Sequence, residues 1–235
     1  MASKLFSHFQ LGPIDLSNRI VVSPMCQYMA EEGRANDWHL MHYGNLSIGA
    51  GGLLIFEATH ISAQGRISHG CLGLYDEETE RALERVVTFC RNHGQSKLGI
   101  QLAHAGRKGS AKTPMMGGAA LQAGESPWET IAPSALAFTD GWHVPKMMGT
   151  DDLARVKTEF VEAAKRAVNL GFDVIEIHAA HGYLLNQFTS PLSNQRTDAY
   201  GGSNLSNRLK YPLEVFDAVK SVVPDHVAVG ARISG

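Results

Sequence analysis

Residues 173–183 read Asp173-Val174-Ile175-Glu176-Ile177-His178-Ala179-Ala180-His181-Gly182-Tyr183. The apolar run ending at Ile177 has the length and branched side chains of a short buried strand. It gives way at once to two imidazoles and a phenol. In parallel α/β proteins ligands collect beyond the carboxyl ends of strands, so reactive side chains placed there point to a site on that face. Two fixed N–H donors can hold one oxygen, and a phenol beside them can deliver a proton. That set suits carbonyl-directed redox or proton-transfer chemistry.

The pattern of an apolar run with a polar end recurs along the chain. Arg19–Pro24 reads as a first buried strand, Leu53–Ala58 as a second, Lys97–Leu102 as a third and Val227–Ser234 as a fifth. Helical patterns alternate with them. Asp37–Ile48 is a helix closed by Gly49-Ala50-Gly51-Gly52. Asp76 caps a helix whose first turn carries Glu77, Glu78 and Glu80, the charge sign that the helix dipole favours there. Leu83, Val86, Val87 and Cys90 share its buried face, and Gly94 ends it. Thr150 or Asp151 caps a further helix, with Leu153, Val156, Phe160, Ala163 and Ala167 on one face and Gly171 after it. The polar loop Ser190–Ser203 precedes a last helix from about Leu205 to Val223. Within that loop Tyr200-Gly201-Gly202 reads as a structured turn rather than a phosphate cradle. Residues 105–149 are rich in Gly, Pro and Met and lack periodicity, the mark of a long functional or mobile loop.

Strict alternation of strand and helix predicts an α/β fold with a parallel sheet, one domain over residues 1–235. Each strand ends in polar or reactive residues: Ser23 and Cys26, Glu57 and Thr59, Gln101 and His104, His178, and Arg232. A site collected from many strand ends favours a (β/α)8 TIM barrel. A doubly wound sheet is the competing arrangement, but no G-x-G-x-x-G follows the first strand. A complete barrel takes about 250 residues. This chain reaches its fifth strand at Gly235, so it reads as the N-terminal portion, about five of eight βα units. The expectation is a piece of a longer enzyme, with a short form that needs a complementing chain as the alternative. Uncovered strand edges and apolar helix faces follow from either.

Composition removes several function classes. The formal net charge is −2 and no basic cluster stands out, which argues against nucleic acid and anionic membranes as partners. No apolar run approaches the ~20 residues of a membrane span, and Met1–His8 lacks the apolar core of a signal peptide. Cys26, Cys71 and Cys90 are an odd number without metal-ligand spacing, which points to a reducing, cytoplasmic compartment. His178 and His181 form an H-x-x-H pair, yet the usual companion ligands are missing, so no metal is expected. Cys71 and Cys90 read as inert.

Taken together, several segments resemble the Old Yellow Enzyme family, the flavin-dependent ene-reductases of the NADH:flavin oxidoreductase type. They are Asn18-Arg-Ile-Val-Val-Ser-Pro-Met-Cys-Gln-Tyr28, Glu57-Ala-Thr59, Gln101-Leu-Ala-His-Ala-Gly-Arg-Lys108, His178-Ala-Ala-His-Gly-Tyr-Leu184 and Ser193-Asn-Gln-Arg-Thr-Asp-Ala-Tyr-Gly-Gly-Ser203 with Asn207-Arg208. Pro24-Met-Cys26 and Trp128-Glu-Thr-Ile-Ala-Pro-Ser134 look like the subclass that includes the xenobiotic reductases.

The resemblance implies non-covalent FMN, with NADPH or NADH as hydride donor. It implies small activated alkenes, enones and nitro compounds among them, as substrates, and a homo-oligomer in the full-length form. It implies flavin contacts from Ser23, Pro24, Met25, Cys26, Ala58, Gln101 and Arg232. His178 and His181 would hold the substrate oxygen, Tyr183 would donate the proton, and Tyr28 would line the pocket. Cys26 would tune the flavin's reactive edge. His104 and Arg107 would orient the long loop or approach the flavin. The family's FMN phosphate is held by units beyond the fifth strand. A non-catalytic barrel remnant is the reading of another class, and a metal-dependent barrel hydrolase or aldolase is a third.

Overall fold

The computed structural model describes residues 3–49 and 51–235. Met1 and Ala2 of the leader reading and Ala50 of the glycine-rich helix stop lie outside the described residues. A short hairpin precedes the sheet, built from β1 (Phe9–Leu11) and antiparallel β2 (Ile14–Leu16). Then follow β3 (Val21–Val22), α1 (Asp37–Gly49), β4 (Leu53–His60), α2 (Glu77–His93) and β5 (Lys97–Ala103). The long excursion carries β6 (Ile131–Ala132) and β7 (Lys146–Met147). The chain continues through α3 (Thr150–Asn169), β8 (Val174–Ala179), α4 (Leu184–Thr189), α5 (Leu205–Val222) and β9 (Ala228–Ile233). The main sheet has the order β3-β4-β5-β8-β9, with every pair parallel.

The helices dock on the sheet through the faces that the spacing predicts. In α2, Leu83, Val86, Val87 and Cys90 are buried. Its start is a reciprocal cap: the Thr79 N–H donates to Asp76 Oδ1 at 2.8 Å, and the Asp76 N–H donates to Thr79 Oγ1 at 3.1 Å. Its end at Gly94 has an ordinary φ of −84°. Glycine is needed there for space, since a Cβ would lie 2.5 Å from the Cys90 carbonyl oxygen. In α3, Leu153, Val156, Phe160, Ala163 and Ala167 face the core. Phe56 of β4 lies at its centre, stacked on Tyr43 at 3.8 Å and edge-on to Phe172 at 5.1 Å.

Two expectations are corrected. The first strand is not a buried run over Arg19–Pro24. It is the pair Val21–Val22 at a sheet edge, with Val21 44% exposed. It has one neighbour, β4, and Pro24 offers no N–H to extend the ladder. The α3 cap is Gly149, not Thr150 or Asp151; the Asp152 carboxylate reaches back to accept the Gly149 N–H at 3.1 Å. The non-periodic stretch 105–149 carries short elements: β6 and β7 pair in parallel, and three short 3₁₀ turns punctuate it. The hairpin and α4 were not foreseen.

Candidate functional site

The carboxyl end of β8 turns sharply. His181 and Gly182 both adopt left-handed backbone, with φ of +57° and +73°. Glycine takes that conformation freely, whereas a histidine is held there by its surroundings. Three bonds do so: His181 N–H to Ser234 Oγ at 3.1 Å, Lys108 Nζ to the His181 carbonyl at 3.0 Å, and Gly182 N–H to Asn186 Oδ1 at 2.8 Å. The turn brings the two imidazoles together.

Hydrogen bonding sets their tautomers. The Ala180 N–H donates to His178 Nδ1 at 3.2 Å, so the ring proton sits on Nε2. That Nε2–H points at His181 Nδ1, 3.3 Å away, which leaves His181 with its own proton on Nε2. Each ring therefore carries one N–H. Burial, then His181, His60, Arg232 and Lys108, push His178 down to about 3, so it is a neutral donor at physiological pH.

Tyr183 packs edge-to-face on His178, with ring centroids 4.9 Å apart. Burial foremost, then Cys26 and Cys71, holds its phenol well above the ordinary range, so it keeps its proton. The Lys108 ammonium sits 4.8 Å above its ring. Cys26, Tyr28 and Tyr183 pack with Trp142 around Ile67, Cys71, Ala105 and Ala111. Thus the loop after β3, the end of β8 and the long excursion meet in one place. Burial also raises the Cys26 and Tyr28 acids, so both are neutral.

Neighbouring strands align further predicted residues. Ala58 of β4, Gln101 of β5 and Glu176 of β8 are in register, and Ala58 and Gln101 are buried. Gln101 Nε2 donates to Glu176 Oε1 at 2.6 Å, which leaves the amide oxygen and one N–H open. Arg232 pairs in register with His178 across β8 and β9. Among the described residues it makes no ion pair. Ser23 and Met25 are exposed on the loop leaving β3, with Pro24 half-buried between them.

Other residues organise the surroundings. His104 Nδ1 accepts the Gly106 N–H at 3.0 Å, and its carbonyl accepts the Leu184 N–H at 3.0 Å. Arg107 donates to the carbonyls of Leu136 and Ala137 at 3.3 and 3.1 Å, tying down the long excursion. Tyr200 and Gly201 lie in a turn that the Gly201 N–H closes on the Asp198 carbonyl at 3.2 Å, and Gly202 follows in a bend. Lys108 and Trp142 were missed as site residues. Lys108 lies in a quoted motif, whereas nothing local distinguishes Trp142. Among the described residues no group of His, Cys, Asp and Glu is arranged to hold a metal ion, and no helix is long and apolar enough to cross a membrane.

A family model described as the NADH:flavin oxidoreductase / NADH oxidase family matches residues 4–235. An NADH:flavin oxidoreductase of Gibberella zeae is 43% identical over 99% of this chain and 57% of its own length. NADPH dehydrogenases of Bacillus cytotoxicus and Geobacillus thermodenitrificans are 44% and 45% identical, over 94% of this chain and 60% and 61% of theirs. The chain thus spans about three fifths of the length of these relatives. Among solved structures, morphinone reductase in complex with tetrahydroNAD aligns with a TM-score of 0.83 at 31% identity, over 99% of this chain and 64% of that one. Old Yellow Enzyme from a Pichia species aligns with a TM-score of 0.83 at 32% identity, over 97% of this chain and 59% of that one. The parallel five-stranded sheet is part of such a (β/α)8 barrel.

Proposed function

Because the chain belongs to the NADH:flavin oxidoreductase / NADH oxidase family, whose cofactor is FMN with NAD(P)H as hydride donor, we propose that its strand ends form the ring-facing and substrate-facing part of an ene-reductase site. The observation that carries this reading is the neutral His178 imidazole 3.3 Å from the His181 ring, with the Tyr183 phenol packed edge-on against His178. FMN held by these residues would supply hydride chemistry, from the nicotinamide to an activated C=C bond.

The residues fit such a ring. The open Gln101 oxygen suits an imide N–H, and a guanidinium without a carboxylate partner, Arg232, stabilises negative charge on the ring. Ser23, Pro24, Met25 and Cys26 supply a loop beside it, and Ala58 a small side chain at the next strand end.

The protein's own chemistry follows from tautomers and burial. In the ligand-free pair the His178 Nε2–H rests on His181 Nδ1; with substrate bound, that N–H turns to the substrate oxygen, joins the His181 Nε2–H there and stabilises the charge that grows on it, by about a few kcal/mol per donor. Tyr183 holds its proton until the α-carbon turns basic, then delivers it. Cys26 stays a neutral thiol that shapes the pocket with Tyr28. The substrates of this reading are small activated alkenes, and the setting is a cytoplasmic homo-oligomer. Replacing His178 and His181 together by Ala lowers kcat/KM for a cyclic enone by about 10²–10³. Unchanged enone kinetics contradict the assignment.

The uncovered β9 edge favours a second reading, in which the chain holds FMN only when its sheet is completed by further units. A purified chain that keeps no yellow colour once excess FMN has been removed supports that reading.

A further inference from the structure

Glu57 is fully buried within the otherwise uncharged face of β4. Burying a carboxylate is unfavourable unless hydrogen bonds replace water, and here both oxygens are engaged. Oε1 accepts the Tyr43 hydroxyl at 2.9 Å, and Oε2 accepts the Gln27 N–H at 2.9 Å. The Glu57 N–H donates in turn to the Tyr43 oxygen at 2.9 Å.

Gln27 lies between Cys26 and Tyr28, and Tyr28 has a left-handed φ of +56°. A tyrosine persists there only where its neighbours over-determine the backbone. Glu57 grips the turn through Gln27, and the Trp38 indole N–H donates to Gln27 Oε1 at 3.1 Å. On the far side the Ala30 N–H bonds to the Gly70 carbonyl at 2.9 Å. A Cβ on Gly70 would come within 2.4 Å of the Tyr28 carbonyl oxygen, so that approach requires glycine.

The groups facing Glu57 leave its charge without a cation. Tyr43 comes from α1, as does His39, whose Nε2 stands 3.7 Å from Oε1. Burial, then His42, pushes His39 down to about 4, so it is neutral. From the loops after β3 and β4 come Cys26 and Cys71. Burial foremost pushes Glu57 up to about 7, against the lowering effect of the Gln27 and Tyr43 bonds. Burial, then Cys71 and then Glu57, pushes the Cys26 thiol upward.

We propose that Glu57 is a positioning residue for Cys26: through the Gln27 N–H it clamps the Cys26–Tyr28 turn to the end of β4, and from there its carboxylate, when ionised, adds to the burial that disfavours the thiolate. The consequence for catalysis rests on the function proposed above, whereas the test uses no flavin. It is the pH profile of iodoacetamide alkylation at Cys26 in the purified chain, located by peptide mass.

The logarithm of the rate climbs with pH, with a shoulder near pH 7 where Glu57 ionises and makes the thiolate harder to form. Glu57→Gln removes the shoulder and moves the midpoint down by at least about half a pH unit. Glu57→Asp, which keeps the charge, retains the shoulder. A purely structural role would shift the rate by the same factor at every pH. The proposal is overturned by an unbroken unit slope across roughly pH 6 to 9 in the unmodified chain. It is also overturned by a Glu57→Gln profile displaced in rate but not in pH. If that variant fails to fold, the shoulder in the unmodified chain decides. Failure of the purified chain to bind FMN would favour the reading in which the sheet must first be completed, and would leave this profile standing.

Discussion

β4 and β9 read alike in the sequence, as short apolar strands each ending beside a residue of the site, yet they occupy opposite environments. All eight residues of β4 are buried, between β3 and β5 and beneath helix side chains. β9 pairs with β8 alone, and Ile233 is 73% exposed. Beside it runs an apolar groove of about 250 Å³ lined by Ile177, Leu185, Pro212, Phe216 and Ile233. Apolar content encodes the strand, whereas neighbours on both sides decide whether it is buried. Charge follows the same division: Glu57 on β4 is locked in a network, and Arg232 on β9 makes no ion pair among the described residues.

Acid tests the closed region most severely. Burial pushes His39 and His60 down to about 4, and His104 and His178 down to about 3. Each is depressed below its unfolded value, so the unfolded chain binds the extra protons. Stability is therefore full above about pH 6.5 and is lost as pH falls toward 4 and 3, by up to ~1.4 kcal/mol per pH unit for each group. Glu57 has the opposite sign: its raised value favours the fold at low pH, and that contribution is lost as pH rises through about 7. The histidines outnumber it, so thermal unfolding followed from pH 7 down to pH 4 shows a steep fall in Tm. A flat profile would mean that the histidines are not buried neutral.

A smaller effect is expected from Phe56→Ala. It removes a ring stacked on Tyr43 and edge-on to Phe172, and costs about 3–5 kcal/mol in urea unfolding. A loss below 1 kcal/mol would mean that the centre of the closed region is poorly packed. The smallest effect belongs to the open edge. Ile233→Ser changes stability by no more than about 0.5 kcal/mol, and it reduces self-association seen by light scattering, because less apolar edge is presented. A large destabilisation there would show that β9 is not an open edge.

How far the molecule is legible in the sequence follows from the same contrast. Helix faces such as Leu83, Val86, Val87 and Cys90 were readable because period and cap are local properties. The juxtaposition of His178, His181 and Tyr183 was readable because a strand followed by a tight turn places them within six residues. Their tautomers were not, since these depend on the Ala180 N–H and on the ring orientations. Val21 was misjudged because nothing in Arg19–Pro24 says how many neighbours the strand has. Trp142 and Tyr43 reach the site region from positions remote in sequence, and only the assembled fold shows what they touch.

The most direct test is a flavin titration of the purified chain, followed by fluorescence quenching, beside the Gln101→Ala/Arg232→Ala variant. The account predicts saturable quenching with FMN, at least about tenfold weaker in the variant, a loss of ~1.4 kcal/mol or more. Equal quenching in both would contradict the assignment of these strand ends to the flavin ring, and no quenching in either would favour the reading in which FMN binds only once the sheet is completed.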